Sequence, residues 1–136
     1  MIITALLTLI FLSLAILHFY WSLGFKWGLS HALPTKENGE KLISPRPFQT
    51  LLVGILLLIP SCLYARNLLD INLGLPEWTY FYGEWLVVIL FLIRAIGDFK
   101  YVGLFKKVKS TSFARSDTKY YTPLCIIISI LALTAV

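Results

Sequence analysis

Charge is scarce in this chain, and so are the side chains that do most chemistry. Only 14% of its 136 residues are charged, seven are acidic, and there are two histidines and two cysteines. His18 and His31 lie thirteen positions apart, and Cys62 and Cys125 fall in different apolar blocks, so no zinc-ligand spacing exists. GxSxG, a Walker phosphate loop, GxGxxG, CxxC and a haem-attachment motif are all missing. The familiar signatures of serine hydrolases, nucleotide and dinucleotide binding and dithiol redox chemistry are therefore absent, and neither a cofactor nor a bound metal is expected. In the helical arrangement argued below the two cysteines differ in depth by roughly 13 Å. A disulfide needs Cα atoms within about 7 Å, so no intramolecular bridge is expected.

What the chain does have is apolar residues in long blocks, 58% of the total. That distribution is the signature of membrane spans rather than of a soluble core. The net charge of +5 comes from basic residues placed between the blocks, which points to membrane topology and not to nucleic acid. Residues 2–23 hold enough apolar sequence to cross a hydrocarbon core of about 30 Å. They lack the basic n-region and small-x-small site of a signal peptide, so they read as a retained first span. Residues 24–47 form a long loop with a turn at Asn38-Gly39 and an extended Pro45-Arg46-Pro47 segment. The second span covers about 48–66, where Pro60 is expected to kink or end the helix. The third covers about 80–104, behind an interfacial belt of Trp78, Tyr80, Tyr82 and Trp85. The fourth covers about 119–136. Two starts fit it: a longer helix capped by Asp117 or Thr118, or a short one capped by Thr122 with Pro123 at its first position.

Fold class and orientation follow. The chain reads as all-α, one domain over residues 1–136, an integral membrane four-helix bundle. The first and third loops carry ten lysines and arginines, whereas the opposite side offers only Arg66. Basic loops stay cytoplasmic, so both termini are expected outside.

That orientation brings distant residues to one depth. The first span delivers His18, Trp21 and Ser22 to the cytoplasmic leaflet, and the third delivers Arg94, Asp98 and Tyr101. The second begins with Gln49 and Thr50, the fourth with Tyr120, Tyr121 and Thr122. A charge at a helix centre in hydrocarbon costs roughly 2.5–3.5 kcal/mol on insertion scales. Arg94 and Asp98 are spaced i, i+4 and are expected to pair on one helix face. The outer half is nearly all Leu, Ile and Val apart from Glu84, which is expected to sit hydrated at the interface. His18, Trp21, Gln49, Arg94, Asp98, Tyr101 and Tyr121 are the candidate ligand-binding residues. Each also has a purely structural reading: a packing ion pair, a satisfied interfacial histidine, an inner aromatic belt.

HFYW at the end of the first span, GDF-x-YVG-x-FK across Gly97–Lys106, and FA-x-x-D-x-x-YY-x-P across Phe113–Pro123 support a comparison at the level of family. With these motifs the chain resembles a family of small bacterial four-span integral membrane proteins of unknown function. The resemblance implies a bacterial inner-membrane location and four helices, and supplies no activity or catalytic residue.

Three functions suit such a chain. The first is binding of a lipid or other small amphipathic molecule in a cytoplasmic-leaflet pocket, with His18 and Arg94 on its head. The second is proton-coupled transport through Asp98, as in small multidrug exporters, although those of dual topology lack so strong a basic bias. The third is an enzyme acting on a lipid or isoprenoid, with His18 and Asp98 as acid and base and Arg94 as electrostatic stabiliser. The expected partners are the membrane, the amphipathic ligand and, as a homo-oligomer, a second copy of the chain; nucleic acid is not among them.

Overall fold

Apolar runs with few breakers become helices, and the breakers end them. In the computed structural model, which describes residues 1–136, α1 spans Ile2–Ser22, the short α2 Leu29–Ala32, α3 Pro47–Leu69, α4 Glu77–Ile96, the short α5 Ser112–Ser116 and α6 Thr122–Leu133. A π-helical turn, Asp117–Tyr121, joins α5 to α6 without interruption. The protein is all-helical, with one isolated backbone bridge between Thr35 and Lys41. Three helices, α1, α3 and α4, are long and apolar enough to cross a membrane.

Cross-helix contacts fix the directions. Ser61 Oγ donates to the Thr8 carbonyl at 3.1 Å, and Gly54 lies against the Phe19 ring, so α1 and α3 are antiparallel. Ser129 Oγ donates to the Val88 carbonyl at 3.1 Å, and Arg94 reaches Asp117, so α4 and α6 are antiparallel too. Hydroxyl-to-carbonyl bonds of this kind are a usual link between helices in an apolar solvent. Both glycine and serine let backbones approach. A Cβ on Gly54 would stand 2.5 Å from Phe19 Cε1.

The core is one cluster: Leu7, Phe11, Tyr64, Val87, Val88, Ile128 and Ala132. Phe11 lies parallel to Tyr64, with ring centroids 6.1 Å apart, and edge-on to Phe91 at 5.4 Å. Ile3 and Ala135 pack on the same cluster, which places the two termini at one end of the bundle. The other end holds the basic loops. Most of the remaining apolar side chains point outward, Leu9, Ile59, Leu86, Leu90 and Ile130 among them. Such an exterior is inside-out for water and ordinary for lipid. Cys62 is exposed and Cys125 buried, and both thiols are free.

Three boundaries depart from expectation. The α3 helix continues through Pro60 to Leu69, where Asp70 caps it in the left-handed region, φ 52°. The α4 helix ends at Ile96 and not at Leu104, because Gly97 turns the chain back with φ 85°. The last helical run begins at Ser112, with Thr111 Oγ1 accepting from the Ala114 amide at 3.1 Å. Pro123 has no N–H for the next ladder position, and the Thr122 amide bonds instead to the Asp117 carbonyl. That five-residue step is the π turn.

Candidate functional site

Two polar clusters stand at opposite ends of the bundle, with an apolar groove reaching one of them. At the basic end the centre is Asp117, which is fully buried. Its Oδ1 accepts from Arg94 Nη2 at 2.8 Å. Its Oδ2 accepts from Gly103 N at 2.9 Å, Lys106 Nζ at 2.9 Å and Thr122 Oγ1 at 3.0 Å. Lys106 is itself 5% exposed and also donates to the Gly103 carbonyl. Two cations against one carboxylate leave a surplus positive charge, and Arg94 Nη1 is buried without a partner.

The loop that delivers Gly103 and Lys106 is built by the motif Gly97–Lys106. Gly97 and Gly103 meet backbone to backbone: a Cβ on Gly97 would lie 1.8 Å from the Val102 carbonyl oxygen, and one on Gly103 2.4 Å from that of Ile96. Both have positive φ, so glycine is required twice over. Asp98 Oδ1 accepts from the amides of Lys100, Tyr101 and Val102 at 2.9, 2.7 and 2.9 Å. Burial opposes its charge, but these amide bonds win and lower its pKa. The Leu104 amide then bonds the Ala95 carbonyl at 2.8 Å, which closes the loop on the end of α4.

The expected Arg94–Asp98 pair is thus replaced. With α4 ended at Ile96, Asp98 is no longer one helical turn beyond Arg94 and is engaged by its own loop. Asp117, twenty-three positions on, takes the guanidinium. Tyr101 leaves the helix for the same reason, and Lys100 Nζ lies 5.1 Å from its ring. His18 donates from Nδ1 to the Leu14 carbonyl at 2.7 Å and lies edge-on to Trp21. Trp21 Nε1 donates to the Trp27 carbonyl at 2.8 Å. Trp21 also lines a cavity of about 160 Å³ with Lys41, Pro45 and Thr50. Gln49 Oε1 accepts from the Arg46 amide at 2.8 Å and serves as part of the α3 cap. Tyr121 packs on Phe113. These seven residues gather at the basic end but do not bond to one another as a single site. The two basic loops do meet, through a 2.6 Å hydrogen bond between His31 Nδ1 and Ser112 Oγ.

At the opposite end Glu84 is buried, 7% exposed. Asn67 Nδ2 donates to its Oε1 at 3.3 Å. The Arg66 guanidinium lies 3.4 Å above the Tyr80 ring centre, with its Nε buried and unpartnered. The Tyr64 hydroxyl is likewise buried without a partner. Arg66, Glu77, Trp78, Tyr80 and Glu84 line an open pocket of about 500 Å³. Tyr80 also lines a larger groove, about 720 Å³, between α3 and α4. Its walls are Val53 to Leu63 on one side and Gly83 to Phe91 on the other, closed above by Leu73 and Leu75. Sequence reasoning missed both centres. Asp117 enters the sequence reading only as a cap of the fourth helix, and Glu84 lacked any sequence neighbour that would mark it as buried.

Removing Asp117 tests the first cluster. Asp117→Asn keeps the shape but strands Lys106 and Arg94, and breaking a buried pair costs about 3–5 kcal/mol. Thermal unfolding in detergent, followed by circular dichroism, should show a clearly lower midpoint for Asp117→Asn than for the native protein; an unchanged midpoint would contradict the assignment.

No curated protein and no solved structure matches the chain. The profile of one family does, over residues 11–132, nearly the full length and including the loop, the Asp117 turn and both helices of the groove. The chain belongs to that family, described as proteins of unknown function, DUF3995.

Proposed function

We propose that this is a four-span membrane protein with both termini outside, and that it binds a lipid-like amphipathic molecule along the α3–α4 groove. The fourth span in this reading is the π turn together with α6, Asp117 to Leu133, about 25 Å of helix at 1.5 Å per residue. Orientation rests on ten basic residues at one end against Arg66 at the other. The basic end is then cytoplasmic, and Glu84 lies towards the outer face.

The observation that carries the binding reading is the continuity of an apolar groove with a polar mouth. The groove wall from Val53 to Leu63 is about 15 Å long, the length of a medium acyl chain. At its outer end Tyr80 belongs both to the groove and to the pocket of Arg66 and Glu84. An amphipathic molecule can place its tail in the first and its head in the second. Gly83, which lines the groove, opens it: a Cβ there would touch Leu63 at 3.4 Å, and a larger side chain would fill the space. In this reading the ligand lies towards the outer leaflet, whereas the sequence alone suggested the cytoplasmic one. The Asp117 cluster in this reading is structural, because its bonds are nearly all internal.

Orientation is tested by labelling. In a Cys62→Ser background, with Cys125 buried, Lys109→Cys should resist an impermeant thiol reagent in intact cells and react after lysis. Labelling of intact cells would reverse the topology. Binding is tested by extraction. Protein purified in mild detergent should retain an amphipathic molecule detectable by mass spectrometry, and Gly83→Phe should lower its occupancy at least tenfold. Equal retention by both proteins would end the groove reading.

A further inference from the structure

The polar mouth of the groove has a chemistry of its own. Its charged groups are Glu77, Glu84 and Arg66, two carboxylates against one guanidinium. Its remaining walls are aromatic: Trp78, Tyr80, Phe81 and Tyr82. The rings meet at steep angles, Trp78 to Tyr82 at 62° and Phe81 to Tyr82 at 76°, and so form a faceted corner. Ring faces carry partial negative charge and attract cations, most strongly where water is partly excluded. The pocket already shows this preference, because Arg66 stacks on Tyr80 at 3.4 Å from the ring centre. Glu84 is more than nine-tenths buried, and its one hydrogen bond is a 3.3 Å contact from the neutral amide of Asn67 to Oε1. Its second oxygen accepts no hydrogen bond and is not sealed among the unpartnered buried atoms, so it opens to the pocket that the residue lines. A carboxylate oxygen open to a pocket walled by ring faces favours a cation there.

We propose that the pocket of Glu84, Glu77 and the aromatic corner holds the cationic head, an ammonium group, of the amphipathic molecule whose tail lies in the α3–α4 groove. This rests on the groove reading and adds the sign of the head. The ammonium sits against Glu84 and over the Trp78 and Tyr82 rings, while Arg66 stays on Tyr80. A trimethylammonium suits the ring faces best, because its charge is spread over methyl groups that contact the rings without demanding hydrogen bonds.

The test uses the full chain in nanodiscs of neutral lipid and three single-chain amphiphiles with the same brominated tail. Their heads are trimethylammonium, uncharged glycerol and carboxylate. Bromine quenches tryptophan fluorescence, and Trp78 lines the pocket at the groove mouth, so saturation of quenching reads binding. The trimethylammonium probe should bind at least tenfold more tightly than the glycerol probe, and the carboxylate probe no more tightly than glycerol. Glu84→Gln, which keeps the contact with Asn67, and the exposed Glu77→Gln should each reduce that preference. Equal binding of all three, sensitive to Gly83→Phe, would overturn the cationic head and leave the groove standing. Preference for the carboxylate probe would overturn it in favour of Arg66 as the recognising group. Absence of saturable binding by every probe, or binding insensitive to Gly83→Phe, would remove the groove reading and this inference together.

Discussion

A single carboxylate, Asp117, ties together the end of α4, the loop that follows it and the start of α6. It receives Arg94 from α4, the Gly103 amide and Lys106 from the following loop, and Thr122 from the start of α6. Those groups are distributed over twenty-nine positions of sequence, and without the carboxylate two cations would be left facing each other in a poorly hydrated space. The conformation of the Gly97–Lys106 loop is a consequence of the same constraint. Only a backbone that doubles back on α4, glycine against glycine, can aim the Gly103 amide at Asp117. The π turn serves it as well, because the turn begins at Asp117 and carries Thr122 round to the same oxygen as Lys106.

The two ends of the bundle differ in how completely their polar groups are met. At the basic end Asp98 and Asp117 between them take seven hydrogen bonds, from backbone amides, cations and a hydroxyl. At the opposite end Glu84 has a single long one, and Arg66 Nε and the Tyr64 hydroxyl have none. A satisfied network stiffens a fold, and an unsatisfied one in an apolar surround is where a ligand or water adds most. That asymmetry, with the groove opening beside the less satisfied end, is why we propose binding there and a structural role for Asp117.

Much of this architecture was legible in the amino-acid order. Apolar blocks of about twenty residues set α1, α3 and α4, since nothing else in the chain competes for such runs. Arg94 near the end of α4 and the basic loops lie at one end of the bundle. The pairing of Arg94 was not legible, and the cause is specific. Arg94 and Asp98 satisfy the helical spacing rule only if the helix continues, and Gly97 ends it. Asp117 lies twenty-three positions from Arg94, a distance that no local rule reaches. The signal that could have found it was the pair of glycines six positions apart, Gly97 and Gly103, followed by an acidic residue in the next motif. The burial of Glu84 is hidden from the sequence for a similar reason: it comes from α3, where Asn67 bonds it, and not from its own helix. Pro60 stands mid-helix because neighbouring turns and cross-helix packing support it, against its local preference.

The central claim is that Arg94 belongs to Asp117 and not to Asp98, and a pair of double-mutant cycles measures this directly. Arg94→Met is combined with Asp117→Asn in one cycle and with Asp98→Asn in the other, and stability is read by reversible unfolding in detergent. The cycle with Asp117 should show a coupling of about 1 kcal/mol or more, reduced from the fully buried case because Arg94 is partly exposed. The cycle with Asp98 should show additivity within about 0.5 kcal/mol. Strong coupling to Asp98 with additivity at Asp117 would contradict the ion cluster and the loop built around it.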